Sequence, residues 1–405
     1  MSRRAQAVYY FAWLVAIGVT VALAVTRYRA GVRDGIGGDF GVFFLPAARE
    51  IAQGHSPYLT AGYRYPPIIA LVLAPFVHVA RGDVWRAWTA LAVAAAVIAV
   101  AVFVRSEAPR LSPWRRPVLA AFCGVTCLHF WPLVVGLFFG ALDTLVLLAL
   151  ILSTCVSTSR GRGALIGVAG LIKTWPVAVG VALFQRGVES RRAAIGAFVL
   201  TFLIAPLSAL AFGWRLGFVR FLENIFASQG NYVSDSVWGI PRLLFTNSGL
   251  ARPVTVSATL DILVAAALAL AIVGLLVIAI RPRGDAGLCT WNVMFCVVLL
   301  LPGSHLAYTL YALPVLWTWG ARCLRAARPA PIDITVLFIA LLWWLVQTKS
   351  WPDSGSSSSI SGLRYSVVFA ADFVLCTASV VGAFLASHRT GAGRATVPAH
   401  VVAPV

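Results

Sequence analysis

Asp39 stands in Gly37-Gly38-Asp39-Phe40-Gly41, in a polar stretch that follows the first long apolar run and ends at Tyr63-Arg64-Tyr65-Pro66-Pro67. Glycines on both sides keep side chains away from the carboxylate, so a second molecule could approach it closely. An acid placed like this at a membrane surface suits a general base acting on a hydroxyl. The position suits an N-cap equally well, because Asp ahead of a helix commonly accepts backbone N–H groups. His305 follows Pro302-Gly303-Ser304 at a break between two apolar runs. It reads either as a donor to a phosphate oxygen or leaving group, or as a histidine satisfied by helix-end carbonyls. Lys173 lies in Gly170-Leu171-Ile172-Lys173-Thr174-Trp175-Pro176, and a lysine among apolar residues must snorkel, pair or line a pathway. Asp143, near the start of another apolar run, caps a helix or faces the same cavity. Asp261 and Asp372 lie inside apolar runs and call for an arginine partner or an interior position. Arg64, Arg242 and Arg364 stand near apolar boundaries, where they meet lipid phosphate or a phosphorylated substrate.

The elements that must position these groups are membrane helices. Of 405 residues 60% are hydrophobic and 11% charged, and the mean hydropathy is +0.88; such a chain is an all-α polytopic membrane protein. A span needs about 20 apolar residues, and by that measure about twelve runs qualify: 7–26, 66–80, 87–104, 117–133, 136–156, 164–184, 193–212, 255–280, 286–303, 305–321, 331–347 and 366–386. Residues 1–387 then form one transmembrane domain, with residues 388–405 a disordered cytoplasmic tail. The first run is retained as an anchor. The net charge of +18 comes from basic residues set between apolar runs. That distribution points to anionic headgroups and phosphorylated substrates, and excludes a nucleic-acid-binding tail. Seven scattered cysteines read as apolar fillers. Cys123 and Cys127 with His129 offer too few ligands for zinc, so neither a metal site nor a cofactor is expected.

Arg186, Arg191 and Arg192, then Arg281 and Arg283, then Arg322, Arg325 and Arg328 mark cytoplasmic loops, as does Arg389 in the tail. The loops 27–65, 213–254 and 348–365 then face outward. Arg105, Arg110, Arg115, Arg116, Arg160 and Arg162 conflict with this scheme if every run in the middle is a simple span. Broken helices remove the conflict, and the short run 66–80 and the Pro176-interrupted run 164–184 are the candidates. Two outer segments show one apolar stripe each: Phe40, Phe43, Phe44, Ala47 and Ile51 in 40–53, which Gly54 should end, and Trp214, Phe218, Phe221, Leu222 and Ile225 in 214–226. Both are expected to lie along the outer leaflet. The serines of 354–361 suggest a flexible loop.

Asp39 with Phe43-Phe44, Ala47-Ala48, Gly54-His55-Ser56-Pro57-Tyr58 and Tyr63-Arg64-Tyr65-Pro66-Pro67 resembles the opening of the GT-C glycosyltransferases that use polyprenyl-phosphate sugars. The chain looks closest to glycosyltransferase family 87, the actinobacterial α-1,2-mannosyltransferases acting on phosphatidylinositol mannosides and lipoarabinomannan. Gly167-Val168-Ala169-Gly170-Leu171-Ile172-Lys173-Thr174-Trp175-Pro176, Gly239-Ile240-Pro241-Arg242 and Pro302-Gly303-Ser304-His305 extend the resemblance over residues 39–320. It departs where many members carry Gly-Gln-x-Asn, which here reads Gly136-Leu137-Phe138-Phe139-Gly140-Ala141-Leu142-Asp143, and where Asn-Gln-Ser is replaced by Gly230-Asn231-Tyr232-Val233-Ser234.

The resemblance implies a GT-C bundle in the plasma membrane with its active site outside, Asp39 as catalytic base and His305 as the second catalytic residue. It also implies a polyprenyl-phosphate-sugar donor and a glycolipid acceptor such as a phosphatidylinositol mannoside. Arg64, Lys173, Arg242 and His305 are then the candidates for the donor phosphate, and Tyr58, Tyr63, Tyr65 and Asp143 for the acceptor cleft. A prenyl monophosphate leaves with help from cations and hydrogen-bond donors, and one carboxylate suffices for a single displacement with inversion. A lipid or sugar transporter would share the composition and the intramembrane charges, but no internal repeat supports it. A non-catalytic envelope scaffold would share the composition too. A pentosyl (arabinofuranosyl) transferase stays open beside a mannosyltransferase, because nothing in the sequence reads the hydroxyl pattern of the sugar.

Overall fold

The computed structural model describes residues 3–35, 37–184, 187–226, 235–247, 251–281, 286–302, 304–348 and 362–394, and its named elements are all helical. Five helices are long and apolar enough to cross a membrane: Arg3–Asp34, Arg81–Arg110, Val188–Leu210, Ala258–Ile280 and Leu363–His388. A sixth is counted if Arg115–Leu128 and Trp131–Phe139, bent by 52° at their junction, form one broken span. The chain is therefore a helical membrane protein, with fewer uninterrupted spans among its described residues than the twelve apolar runs suggest.

Prolines account for much of the difference, because a proline cannot supply the N–H that the preceding turn requires. Run 66–80 yields only the six-residue helix Ile68–Leu73 and the 3-10 turn Ala74–Phe76. Helix Ser159–Ile172 stops at Lys173, whose backbone is extended, before the 3-10 turn Trp175–Val179 that contains Pro176. Run 305–321 opens as a 3-10 helix, Leu306–Ala312, and becomes α-helical only at Leu313. Each break falls beside a candidate site residue. The first helix instead continues eight residues past the end of its apolar run, to Asp34. The last helix likewise reaches Arg394, so the tail expected to be disordered from residue 388 is helical at its start. Residues 395–405 and the serine run 354–361 lie outside the described residues.

Contacts at one end of the bundle settle how the middle arginines relate to the others. Arg325 pairs with Glu107, Arg110 approaches Glu107 at 3.3 Å, and Arg115 donates to the carbonyl of Ala326 at 2.9 Å. Tyr9 packs edge-on against Trp114, with ring centres 5.9 Å apart. The N-terminal helix, the 105–116 segment and the Arg322–Arg328 segment thus share one end. Ser159 donates to Glu189 at 2.8 Å, which joins the first turn of helix Ser159–Ile172, with Arg160 and Arg162, to the first turn of helix Val188–Val199, with Arg191 and Arg192. The conflict over the middle arginines therefore disappears.

At the other end of helix Arg81–Glu107, the turn after Trp131–Phe139 is closed by Gly140 with φ +70. Its carbonyl accepts from Trp88 Nε1 at 2.9 Å. A Cβ on Gly140 would lie 2.6 Å from Phe40 Cβ and 2.8 Å from the Trp85 ring. Gly140→Ala combines left-handed backbone strain with overpacking, and should lower stability by about 2–4 kcal/mol. Thermal unfolding in detergent measures this, and a wild-type midpoint would contradict it.

Candidate active site

Asp39 begins a π-helical turn, Asp39–Phe44, that runs into helix Leu45–Ala52. It is not the cap of that turn. Gly38 holds that position without a side-chain bond, and the Asp39 carboxylate instead accepts from the Tyr65 hydroxyl at 3.1 Å through Oδ2. The apolar stripe that carries Asp39 turns inward. Phe40 packs on Trp85 and Trp88 with centres 5.4 and 5.5 Å apart, Phe44 packs edge-on to Tyr65 at 4.7 Å, and Ala47 and Ala48 are fully buried. The expectation that this stripe lies along the leaflet is corrected here: its inner residues pack against protein. Gly54, with φ +80, follows the end of the helix as expected.

Asp39 is half-buried, so it is reachable yet poorly hydrated. Burial raises its carboxyl above the usual range; the Lys173 ammonium and the Tyr65 hydrogen bond oppose that rise, and the Asp143 charge adds to it. These causes place four of the candidate groups within electrostatic reach of one another.

Lys173 reaches into the site because the helix before it ends there. Its ammonium donates to both oxygens of Asp143, at 2.8 and 3.0 Å, with both side chains buried. Asp143 Oδ1 also accepts from the Tyr311 hydroxyl at 2.7 Å. The Lys173 ammonium lies 4.2 Å from the centre of the Tyr308 ring, a cation–π contact. Lys173 thus neither snorkels nor stands as a free cation, and its charge is committed to Asp143. Trp175 stacks on Tyr308 at 5.5 Å and meets Tyr311 edge-on at 4.9 Å, and His305 meets Tyr308 edge-on at 5.7 Å.

Arg64 is half-buried, forms no side-chain hydrogen bond or ion pair among the described residues, and lies close enough to His305 to act on its charge. Tyr58 and Tyr63 point their hydroxyls at backbone, donating to the carbonyls of Tyr65 at 3.2 Å and Pro66 at 2.9 Å. These bonds hold the Tyr63–Pro67 segment, and only Tyr65 of the three reaches the carboxylate. Arg242 is exposed on helix Gly239–Phe245, and no described contact joins it to the cluster. Gly303 and the segment 230–234 lie outside the described residues.

Tyr308 and Tyr311 do not stand out in the sequence. Their signal is the three-residue spacing from His305, which an α-helix would spread around its surface. A 3-10 helix has three residues per turn and brings i and i+3 onto one face, and the Leu306–Ala312 segment is of that kind.

The site lies at the opposite end of the bundle from the basic loops. Helix Asp143–Cys155 starts at Asp143 and ends a short turn before Arg160 and Arg162, which open helix Ser159–Ile172, a rise of about 20 Å at 1.5 Å per residue. The fold and site together define a helical membrane protein with a partly buried acid–base and cationic cluster at one end of its bundle. A family model for glycosyltransferase family 87 matches residues 63–302, more than half of the chain. The chain belongs to that family and is a membrane glycosyltransferase, with a sugar donor and an acceptor as its substrates. Tyr63, Arg64, Tyr65, Asp143, Lys173 and Arg242 fall within the matched stretch, whereas Asp39, Tyr58 and His305 lie outside it.

Proposed function

We propose that this glycosyltransferase moves mannose from a polyprenyl-phosphate donor to a hydroxyl of a lipid-linked glycan, such as a phosphatidylinositol mannoside, on the outer face of the plasma membrane. Asp39 is the general base. The observation that carries this reading is the half-buried Asp39 carboxylate, held by Tyr65 within reach of the Lys173–Asp143 pair, at the end of helix Asp143–Cys155 opposite Arg160 and Arg162. Arginine-rich loops favour the cytoplasm, which supports an outward position for Asp39. The acceptor O–H gives its proton to Asp39 as its oxygen bonds to C1. The bond from C1 to the phosphate oxygen breaks, and the prenyl phosphate leaves with the electron pair. One base and one displacement invert the configuration at C1.

The leaving phosphate needs donors and positive charge. Arg64 supplies a planar, half-buried cation not committed elsewhere among the described residues, and His305 stands near it. Lys173 acts through Asp143 and Asp39, organising the site's charge. Arg64→Ala should raise the KM for donor about 10- to 100-fold with a smaller effect on kcat, the value of a charge-assisted hydrogen bond. An unchanged KM would remove Arg64 from the donor site. Incubation of the protein in vesicles with polyprenyl-phosphate mannose and, separately, polyprenyl-phosphate arabinose tests the donor. Transfer from the mannose donor supports the reading, and transfer from the arabinose donor alone replaces it with pentosyl transfer.

A further inference from the structure

Behind the site, two acids come together from positions 137 residues apart in the chain. Asp235 lies in the second large outer loop and Asp372 on the last helix, and both side chains are buried, at 7% and 0% exposure. Asp372 Oδ1 accepts from Trp343 Nε1 at 2.5 Å and from Gln347 Nε2 at 3.1 Å. Asp372 Oδ2 and both oxygens of Asp235 meet no donor from any other described residue, while the two carboxyls are in hydrogen-bonding contact with each other. Neither forms an ion pair with a Lys or Arg among the described residues. Two ionised carboxylates in contact inside a poorly polarisable interior repel strongly, whereas a single proton between them turns the same contact into a strong hydrogen bond.

The backbone around Asp235 ties this pair to the site. The Asp235 N–H donates to the Ser304 carbonyl at 2.8 Å, the Val237 N–H to the Leu299 carbonyl at 3.0 Å, and Trp238 Nε1 to the Leu300 carbonyl at 2.7 Å. His305 follows Ser304 directly, and its carbonyl accepts from the Tyr308 N–H at 2.8 Å. We propose that Asp235 and Asp372 share one proton and that this acid pair is a positioning device: it fastens the second outer loop to the last helix and thereby fixes the Ser304–His305 segment at the sugar-transfer site. The structural part stands on its own; its consequence for catalysis rests on the function proposed above.

Burial pushes the Asp235 carboxyl up to about 6, against the pull of its hydrogen bond with Asp372. Because that value is raised above an unfolded aspartate, the stabilisation is complete at acidic pH and is lost as pH rises through the range of the folded pair. Other titratable groups nearby are Cys376 on the last helix, Cys296 against Cys376, and His305 beyond Ser304. Trp343 and Gln347 face the pair from helix Pro331–Gln347.

Asp372→Asn tests the idea, because an amide can keep accepting from Trp343 and Gln347 while donating permanently to Asp235. Asp235→Asn is the mirror variant and guards against a folding failure in the first. Thermal midpoints of the full chain in detergent are followed from about pH 5 to about pH 9. The wild-type midpoint should fall as pH rises, and the fall should be at least halved in either variant. The infrared C=O band of a protonated carboxyl should be present in wild type at neutral pH and absent from both variants. Backbone hydrogen-exchange protection in residues 299–308 should weaken at alkaline pH in wild type but persist in the variants, and the alkaline limb of transfer should move to higher pH. Wild-type pH dependence in both variants, or no protonated-carboxyl band in wild type, would overturn the shared proton. Exchange protection that is indifferent to pH in wild type would overturn the positioning role. Only the transfer arm needs the proposed reaction, so failure of that reading leaves the other arms decisive.

Discussion

Asp39→Asn should lose about a thousandfold of the transfer rate, within the range of about 10²–10⁴ that a positioned base contributes, while folding and donor binding stay near wild type. The amide has the volume of the carboxylate and can still accept from Tyr65 through its oxygen, so the Tyr65 contact at 3.1 Å survives. What disappears is the ability to take a proton. In the wild type the base works only when ionised, and burial raises the Asp39 carboxyl despite Lys173 and Tyr65. The acidic limb of kcat/KM should therefore lie above the pH at which a free aspartate titrates. Rate, thermal midpoint and a donor-binding isotherm on the same preparation separate the outcomes, and near-wild-type turnover by Asp39→Asn would end the assignment.

Lys173→Met should be the most destabilising change at the site, by about 3–5 kcal/mol, the cost of leaving one partner of a buried ion pair without the other. The Lys173–Asp143 pair is buried and bidentate, and Tyr311 adds a third bond to the same carboxylate. Removing both charges together, in Lys173→Met with Asp143→Asn, should recover much of the loss, because no unpaired charge then remains. The single variant should also alter catalysis. Lys173 is one of the influences that hold the Asp39 carboxyl down, so its loss should move the acidic limb of the rate profile to higher pH. A single variant as stable as wild type, or an unmoved acidic limb, would break the link between the pair and the base.

The parts of this site that were legible in the sequence are those written locally. Asp39 among glycines, the helix stop at Gly54 and the break at Lys173–Pro176 all appear in the structure where turn chemistry and proline sterics put them. Pairings across the chain were not legible. Nothing at Lys173 names Asp143, 30 residues away, and nothing at Asp372 names Asp235. Asp372 was expected to find an arginine or the interior; it has the interior, and its partners are Trp343, Gln347 and a second acid. Tyr308 and Tyr311 escaped because the apolar run around them reads as an α-helix, and only the 3-10 geometry puts them on the face of His305. The apolar stripe of the first loop could equally have met lipid or protein, since periodicity defines a face without saying what covers it.

Stereochemistry at C1 tests the central claim most directly. The wild-type protein is incubated with a polyprenyl-phosphate mannose of known anomeric configuration and a mannosylated phosphatidylinositol acceptor, and the new linkage is read by nuclear magnetic resonance. A single displacement assisted by Asp39 predicts a product whose configuration at C1 is inverted relative to the donor. A retained configuration would require a second nucleophile and contradict a one-carboxylate site, and no transfer from a prenyl-phosphate donor would contradict the proposed substrate itself.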